Sequence, residues 1–384
     1  MNIAQRMENI QFSGIRKIFE EANRREQAGD TIIHLEIGRP DFETPGNIIA
    51  AAQQALGEGK IHYTSNYGIP ELRLAIADKL AYGNALSYDP GDEIVVTIGV
   101  TEGIFLAMMA LLNPGDEVII VTPAFTAYTY CAHMAGAVPV TVPLSASDGF
   151  LPDPERLRSH ITSKTKMICI NTPNNPTGAV YPKAVLEGIA QLARDHDLAV
   201  VSDEIYEKII YDDLSHVSIA GLPGMKGRTV VLNGFSKCYS MTGWRLGYAA
   251  AHREIMSAML RIHQYSTVCA TSFAQWGGVE ALRGPQDSVT GMVEEFDSRR
   301  RMIVKRLGRM PGISFFTPRG AFYIMINISE LGRAPAEIAR YLLDEAGIAV
   351  VPWGDDHIRI SYANSYENLC RAMDGMDGAL RRLN

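Results

Sequence analysis

Cysteine is scarce and scattered in this sequence: there are five in 384 residues (Cys131, Cys169, Cys238, Cys269 and Cys370), with no C-x-x-C pair among them. That spacing signals no disulfide framework and fits a reducing cytoplasm. The nine histidines form no H-E-x-x-H, so no metal site is signalled either. Basic stretches long enough to grip a phosphate backbone are missing, and a net charge of -7 with acids and bases interspersed argues against nucleic-acid binding. No apolar run approaches the roughly 18 residues of a membrane span. The opening M-N-I-A-Q-R-M-E-N-I-Q-F has no apolar signal core. Repeats, low-complexity segments and long Gly/Ser linkers are also absent. The expectation is a cytoplasmic protein that binds neither nucleic acid nor membrane.

What is present is ordinary globular composition, 47% hydrophobic and 21% charged, in a chain long enough for a large core and two domains. From about residue 90, short β-branched runs alternate with longer helical patterns. They predict strands at Glu93 to Ile98, Glu117 to Thr122, Val138 to Val142, Lys166 to Ile170, Leu198 to Ser202, Thr229 to Asn233 and Leu246 to Ala250. Several are nearly continuous in apolar residues (E-V-I-I-V-T, L-A-V-V-S, T-V-V-L-N), as strands buried on both faces are. The fold class is therefore α/β with a mainly parallel seven-stranded sheet, and ligands belong at the strand carboxyl ends. Helical patterns run from about Arg253 to Arg283 and from Gln286 to Met310. Beyond them, I-S-F-F, F-Y-I-M-I, A-V-V-P and I-R-I-S read as strands between helices, and the helical pattern Ile15 to Gln27 is expected to join them. The expected division is a large domain at 46–285 and a discontinuous smaller α+β domain made of 1–45 and 286–384.

The richest segment chemically is N-G-F-S-K-C-Y-S-M-T-G-W-R-L-G, Asn233 to Gly247. An amine such as Lys237 forms a Schiff base with a carbonyl cofactor, and Ser236 and Arg245 could hold a phosphate on it, which points to pyridoxal 5'-phosphate. Read alone, the segment has a plainer reading too, as a loop feeding a strand. Four more motifs follow strands or open helices. In T-I-G-V-T-E-G-I-F, the amides of Val100 and Thr101 open a helix where a phosphate can bind, although Thr101 also reads as a plain helix cap. P-A-F-T-A-Y offers Phe125 for stacking or for simple packing. N-T-P-N-N-P-T-G, Asn171 to Gly178, is a rigid amide-rich turn. In S-D-E-I-Y, Asp203 could pair with a protonated ring nitrogen or cap the next helix, with Tyr206 one turn later.

Taken together, and with I-G-R-P-D-F-E-T-P (Ile37 to Pro45), Y-T-S-N-Y-G-I-P-E-L-R (Tyr63 to Arg73), P-R-G-A-F-Y (Pro318 to Tyr323) and R-I-S-Y-A-N-S-Y-E-N-L (Arg359 to Leu369), these motifs are far more specific than any one. The chain resembles the pyridoxal-phosphate-dependent aminotransferases of fold type I, class I/II, and in particular the bacterial subgroup-gamma aspartate and aromatic aminotransferases. The resemblance implies an enzyme that moves an amino group from an L-α-amino acid to a 2-oxo acid, acting as a homodimer with shared sites. It implies that Lys237 forms the Schiff base and carries the proton, and that Asp203 pairs with the pyridine nitrogen. Asn175 and Tyr206 would bond the phenolic oxygen and Phe125 would stack on the ring. Val100, Thr101, Ser236 and Arg245 would hold the phosphate, with Tyr63 reaching in from a partner subunit. Arg359, with Gly38 and Asn175, would bind the substrate α-carboxylate.

Two departures bear on the substrate. Dicarboxylate-specific relatives often have lysine where Thr101 stands, so neutral or aromatic donors are expected, with Tyr265, Trp353 and Phe322 as pocket walls unless a partner segment near Arg261 to Thr267 supplies a cation. The loop V-P-W-G-D-D-H-I before Arg359 is several residues shorter than in the family, which puts Trp353 and Asp355-Asp356-His357 near the expected substrate mouth. The D-D-H run reads as a charged surface loop in preference to a metal site. Other reactions of the same fold remain open: β- or γ-elimination, condensation or oxidation of an amino acid. A transcription regulator with an aminotransferase-like domain is disfavoured, since only about 30 residues precede I-G-R-P-D. A dinucleotide-binding dehydrogenase is also disfavoured, because no G-x-G-x-x-G follows the first strand.

Overall fold

The computed structural model describes residues 2–12 and 14–383. Helix α1 (Gly14–Gln27) and the two-residue strand β1 (Ile33–His34) precede helices α2 (Gly46–Gly57) and α3 (Pro70–Asn84). Seven strands then build one sheet: β2 (Ile94–Thr97), β3 (Glu117–Thr122), β4 (Val138–Pro143), β5 (Thr165–Asn171), β6 (Ala199–Asp203), β7 (Thr229–Gly234) and β8 (Gly247–Ala250). Their order is β2-β8-β7-β6-β5-β3-β4. The five strands from β4 to β7 pair in parallel, while β8 runs antiparallel to both β2 and β7. The sheet is thus mainly parallel, with one reversed strand.

Alternate residues of these strands enter different cores. Val118 and Ile120 of β3 pack with helix α4 (Gly99–Leu111) on one face, whereas Ile119 and Val121 pack with Ile189 and Leu192 on the other. With both faces covered, a strand has no solvent side, so its sequence runs apolar without a break. The parallel register sets Asn171 beside Asp203 at the carboxyl ends of β5 and β6. The motif-bearing loops that follow are therefore neighbours.

One expected element is divided. The helical pattern Arg253 to Arg283 is two helices, Arg253–Ser266 and Ser272–Arg283. Between them Val268 takes a positive φ of 67°, and the Thr267 hydroxyl donates to Glu102 Oε1 at 2.6 Å. Thr267, Val268 and Thr271 are β-branched, which weakens helix propensity, and the Glu102 contact holds the break open. The next helix, Asp287–Leu307, lies within the expected span.

The C-terminal part adds β9 (Ser314–Phe315), β10 (Tyr323–Asn327), β11 (Ile348–Ala349), β12 (Val351–Trp353) and β13 (His357–Ser361). Four of these form an antiparallel sheet in the order β12-β13-β10-β9, and β11 pairs in parallel with β1, tying the N-terminal segment to this region. Its core includes Phe296, Phe322, Ile324 and Ile360, and reaches across to Ile205 and Tyr206 beyond the end of β6. Fully burying such side chains contributes about 1.5–3 kcal/mol each. That contact places the second sheet against the carboxyl ends of the first.

Candidate active site

Where the two regions meet there is a cavity of about 1020 Å³. Its lining includes Gly38, Val100, Thr101, Phe125, Asn175, Asp203, Tyr206, Ser236, Lys237, Arg245 and Arg359, all expected from the sequence. Tyr63 is not on this lining; its side chain lies 87% exposed at the surface.

Lys237 follows β7, whose last residue, Gly234, has a backbone N–H bonded to the Asn233 side chain. The Lys237 ammonium donates to the Gly38 carbonyl at 2.6 Å. Gly38 has to be glycine, since a Cβ there would lie 1.9 Å from the Tyr323 hydroxyl. Lost hydration, reinforced by the cations Arg359 and Arg245 and opposed by Asp203, brings the Lys237 pKa down to about 8.

Asp203 ends β6 in full burial. Its Oδ2 accepts from the Tyr128 hydroxyl at 2.7 Å and its Oδ1 from the Ile205 amide at 3.1 Å. Burial lifts its pKa to about 6 against those two hydrogen bonds. Tyr128 belongs to P-A-F-T-A-Y, one turn after Phe125, and sequence reasoning gave it no role. The Tyr206 hydroxyl meets that of Tyr323 at 2.9 Å, and Tyr323 was likewise quoted within a motif without a function.

Arg359 sits on β13, 1% exposed, with its guanidinium 4.7 Å from the centre of the Tyr323 ring. One Nη donates to Asn175 Oδ1 at 3.2 Å and the other to the Glu36 carbonyl, while Nε is buried without a partner. No carboxylate pairs with it among the described residues. Burial depresses its pKa.

The opposite end of the cavity is built for an anion. Helix α4 begins at Gly99, with φ of 72°, and the preceding Ile98 gives no side-chain cap. Thr101 therefore does not act as the cap that one reading of the sequence allowed. Glu102 is drawn back to the Ile98 amide at 2.5 Å and to His263 at 2.9 Å. Arg245, in the left-handed region with φ of 53°, packs so closely that a Cβ on Gly99 would lie 2.7 Å from its guanidinium. Gly247 permits the same closeness from β8, since its Cβ would lie 2.8 Å from the Gly99 carbonyl carbon.

Of the expected side-chain walls, Trp353 has its ring centre 5.9 Å from the Arg359 guanidinium and also lines, with Asp356 and His357, a neighbouring cavity of about 610 Å³; Phe322 is buried edge-on to Tyr206 with its ring centre 5.8 Å from Lys237 Nζ; and Tyr265 is 87% exposed. Short as it is, the loop turns outward: Asp356 bonds His357 at 2.6 Å and Asn327 at 3.2 Å. To these α1 adds Ile15, Arg16 and Phe19 on the lining, and Arg39 adds a second exposed cation. Neither Arg16 nor Arg39 was legible as a site residue, because only the pairing of β1 with β11 brings this segment over the cavity.

Beneath the Asp203 segment lies one buried ionic group. Glu204, Glu207 and His216 come within 4.8 Å of one another, a spacing that could hold a metal ion. The carboxylates are engaged within the protein: Lys79 pairs with Glu207, and Glu204 accepts from Ser202 at 2.9 Å, Ser218 at 2.6 Å and His216 Nε2 at 2.8 Å, while His216 Nδ1 has no partner.

Comparison with known proteins agrees with this geometry. The family model for aminotransferase class I and II matches residues 30–374. An aspartate aminotransferase of Pyrococcus abyssi is 43% identical over 99% of both chains, and aromatic-amino-acid aminotransferase 2 of Thermococcus litoralis is 40% identical over the same share. The solved structure of the Thermus thermophilus aspartate aminotransferase with maleate is 39% identical and superposes with a TM-score of 0.94, covering 99% of this chain and 100% of that one. The cavity with its lysine, carboxylate and buried arginine therefore lies in a chain that belongs to the class I and II aminotransferases, enzymes that pass an amino group between amino acids and 2-oxo acids.

Proposed function

We propose that the cavity holds pyridoxal 5'-phosphate and exchanges an amino group between an L-α-amino acid and a 2-oxo acid, with Lys237 as the reacting amine. One observation carries this: a single cavity gathers an amine with a pKa of about 8, a buried carboxylate, and a buried arginine with no acidic partner among the described residues. The residues fit the cofactor. Uncapped amides of α4, with Thr101, Ser236 and Arg245 beside them, suit a phosphate. Asp203 suits a cationic ring nitrogen, which would draw its pKa down from about 6. Phe125 suits stacking, and Asn175 and Tyr206 suit a ring oxygen.

When bound, the group supplies an aldehyde that takes up the amino group and an electron-poor ring that withdraws charge. Arg359 binds the substrate α-carboxylate through its guanidinium edge, oriented by Asn175 and the Tyr323 ring. Lys237 moves the proton at the substrate α-carbon. At a pKa of about 8 it is neutral for roughly a tenth of molecules at pH 7 and half at pH 8. Asp203, fixed by Tyr128 and Ile205, holds a proton at the ring nitrogen.

For the donor side chain the reading is wider than neutral and aromatic residues. Phe19 and Tyr130 offer aromatic surface, and Arg16 and Arg39 offer cations for an acidic side chain. A homodimer is part of the proposal. Tyr63, Tyr265 and Ile61 are 87%, 87% and 58% exposed, and Asn66 bonds the Val268 carbonyl at 2.7 Å, so their segments form one surface suited to a second copy. We also propose the division into a cofactor-binding domain at 46–285 and a smaller one at 1–45 with 286–384, supported by a core around Phe296, Phe322 and Ile360 distinct from the one under α4, and a cytoplasmic location, supported by five unpaired cysteines. No described helix is long and apolar enough to cross a membrane.

The test is a half-reaction. Cofactor-loaded enzyme given one amino acid and no acceptor is expected to yield one equivalent of the matching 2-oxo acid per site, identified by mass spectrometry. Continued release of ammonia beyond one equivalent would contradict transamination and support elimination.

A further inference from the structure

Helix α1 forms part of the cavity wall, with Ile15, Arg16, Phe19, Asn23 and Glu26 spaced along one face. Its attachment is slight. Only Ala22 is buried along its length, in a small cluster with Leu343 and Ala349. Polar ties therefore matter more here than elsewhere in the fold.

One tie joins Arg25 to Asp344, and another runs through His34. Its Nδ1 lies 2.7 Å from Glu36 Oε1 and its Nε2 lies 3.2 Å from Glu26 Oε2. Each ring nitrogen thus faces a carboxylate oxygen, and only the doubly protonated ring can donate at both. A neutral ring would turn a lone pair toward one of the two acids. The Phe19 ring packs edge-on at 6.0 Å, and Asn364, also on the cavity lining, donates to the His34 carbonyl at 3.0 Å. Glu36 is fully buried, its Oε2 has no partner, and its backbone carbonyl accepts from the Arg359 guanidinium.

We infer that His34 is a positioning residue: as an imidazolium bridging Glu26 and Glu36, it fastens α1 as a wall of the cavity and steadies the Glu36 carbonyl that holds Arg359. The charged groups around it are Glu26 from α1, Glu36 from its own segment and Arg359 from β13 behind Glu36; Arg25 of α1 is engaged by Glu21 and Asp344, and Arg16 lies over Phe19. Glu36 first, and Glu26 after it, outweigh burial and raise the His34 pKa above 6.5. A raised histidine pKa means the tie is complete below the unfolded value and is lost as pH climbs through the folded one. The part of the inference that concerns substrate affinity rests on Arg359 binding the α-carboxylate; the part that concerns the helix does not.

The experiment follows hydrogen exchange of the 14–27 segment in cofactor-loaded enzyme from about pH 6 to about pH 9.5, corrected for intrinsic rates, together with KM and kcat for one amino acid. In the wild type, protection of this segment is expected to fall about tenfold per pH unit above the folded pKa while the 99–111 helix stays constant, and KM is expected to rise over the same range, whereas kcat follows the Lys237 titration alike in wild type and His34→Gln. His34→Gln should show the loosened helix and raised KM at all pH values. Glu26→Gln, at a half-exposed position outside the core, should lose most of the pH step and serves if the His34 variant does not fold. Helix protection that is flat with pH in the wild type, or a step that survives in His34→Gln and so belongs to Lys237, overturns the inference. A step in protection with no step in KM keeps the tie of α1 and overturns the inferred support of Arg359 through the Glu36 carbonyl.

Discussion

Two groups of buried charges lie on either side of the 203–207 segment, and they are treated in opposite ways. Below it, burial alone would raise Glu207, yet Lys79 and His216 outweigh that and hold it at about 2. His216 is likewise raised by Glu204 in spite of burial. Every charge has an opposite neighbour. Above it, in the cavity, Lys237 is pushed down, Asp203 is pushed up, and Arg359 meets only neutral oxygens and rings. Charges that complete each other hold a fold together, whereas charges left at a disadvantage by burial have most to gain from a ligand of complementary charge.

The largest effect should come from removing the reacting amine. Lys237→Ala is expected to lower turnover by at least about 10³-fold while cofactor still binds through Arg245, Ser236 and Asp203. Steady-state rates with equilibrium dialysis of the cofactor check this, and near-normal turnover would remove Lys237 from the mechanism.

On the paired side, Lys79→Met leaves Glu207 buried beside a neutral chain, and is expected to cost about 3–5 kcal/mol of stability. The pH profile sharpens the point. Glu207 has a lowered pKa, so its contribution is complete above the unfolded value of about 4.5 and is lost as pH falls toward about 2. Denaturant midpoints of wild type and Lys79→Met should converge over that range. A constant gap would place the stabilisation elsewhere.

Asp203→Asn separates the two regions most clearly. It keeps an acceptor for the Ile205 amide, turns the contact with the Tyr128 hydroxyl into one that the amide donates, and loses the charge, so turnover is expected to fall about 10²-fold while the cofactor-free protein becomes more stable by about 1–3 kcal/mol at pH 7. A raised carboxylate pKa gives that sign: the folded state resists ionisation between about 3.8 and about 6, and the penalty is fully present above it. Loss of both stability and activity would make Asp203 a structural residue.

Much of this was legible because parallel strands end in short loops. Apolar runs such as E-V-I-I-V-T marked strands buried on both faces, and the residues just after them, Phe125, Asn175, Asp203 and Lys237, fell into one cavity. Tyr128 and Tyr323 were missed since an aromatic in the first turn of a helix, or at the start of an apolar strand, looks like packing until its hydroxyl finds a partner. The break at Thr267 depends on Glu102, a contact 165 positions away that no local pattern reports. The placement of α1, and with it Arg16, comes from the pairing of β1 with β11 across most of the chain.

The smallest effects concern that helix. Arg16 is exposed at the mouth, so Arg16→Ala is expected to reduce kcat/KM for aspartate and glutamate by about three- to tenfold relative to phenylalanine. Equal changes for all donors would show that Arg16 does not read the side chain.

The contrast between compensated and uncompensated charge is tested most directly at Lys237 itself. Borohydride reduction of the cofactor-loaded protein, followed by peptide mapping, is expected to place one pyridoxyl phosphate group per chain on the peptide carrying Lys237, and none on that carrying Lys79. A stable adduct on another lysine, or none on any, would contradict the account.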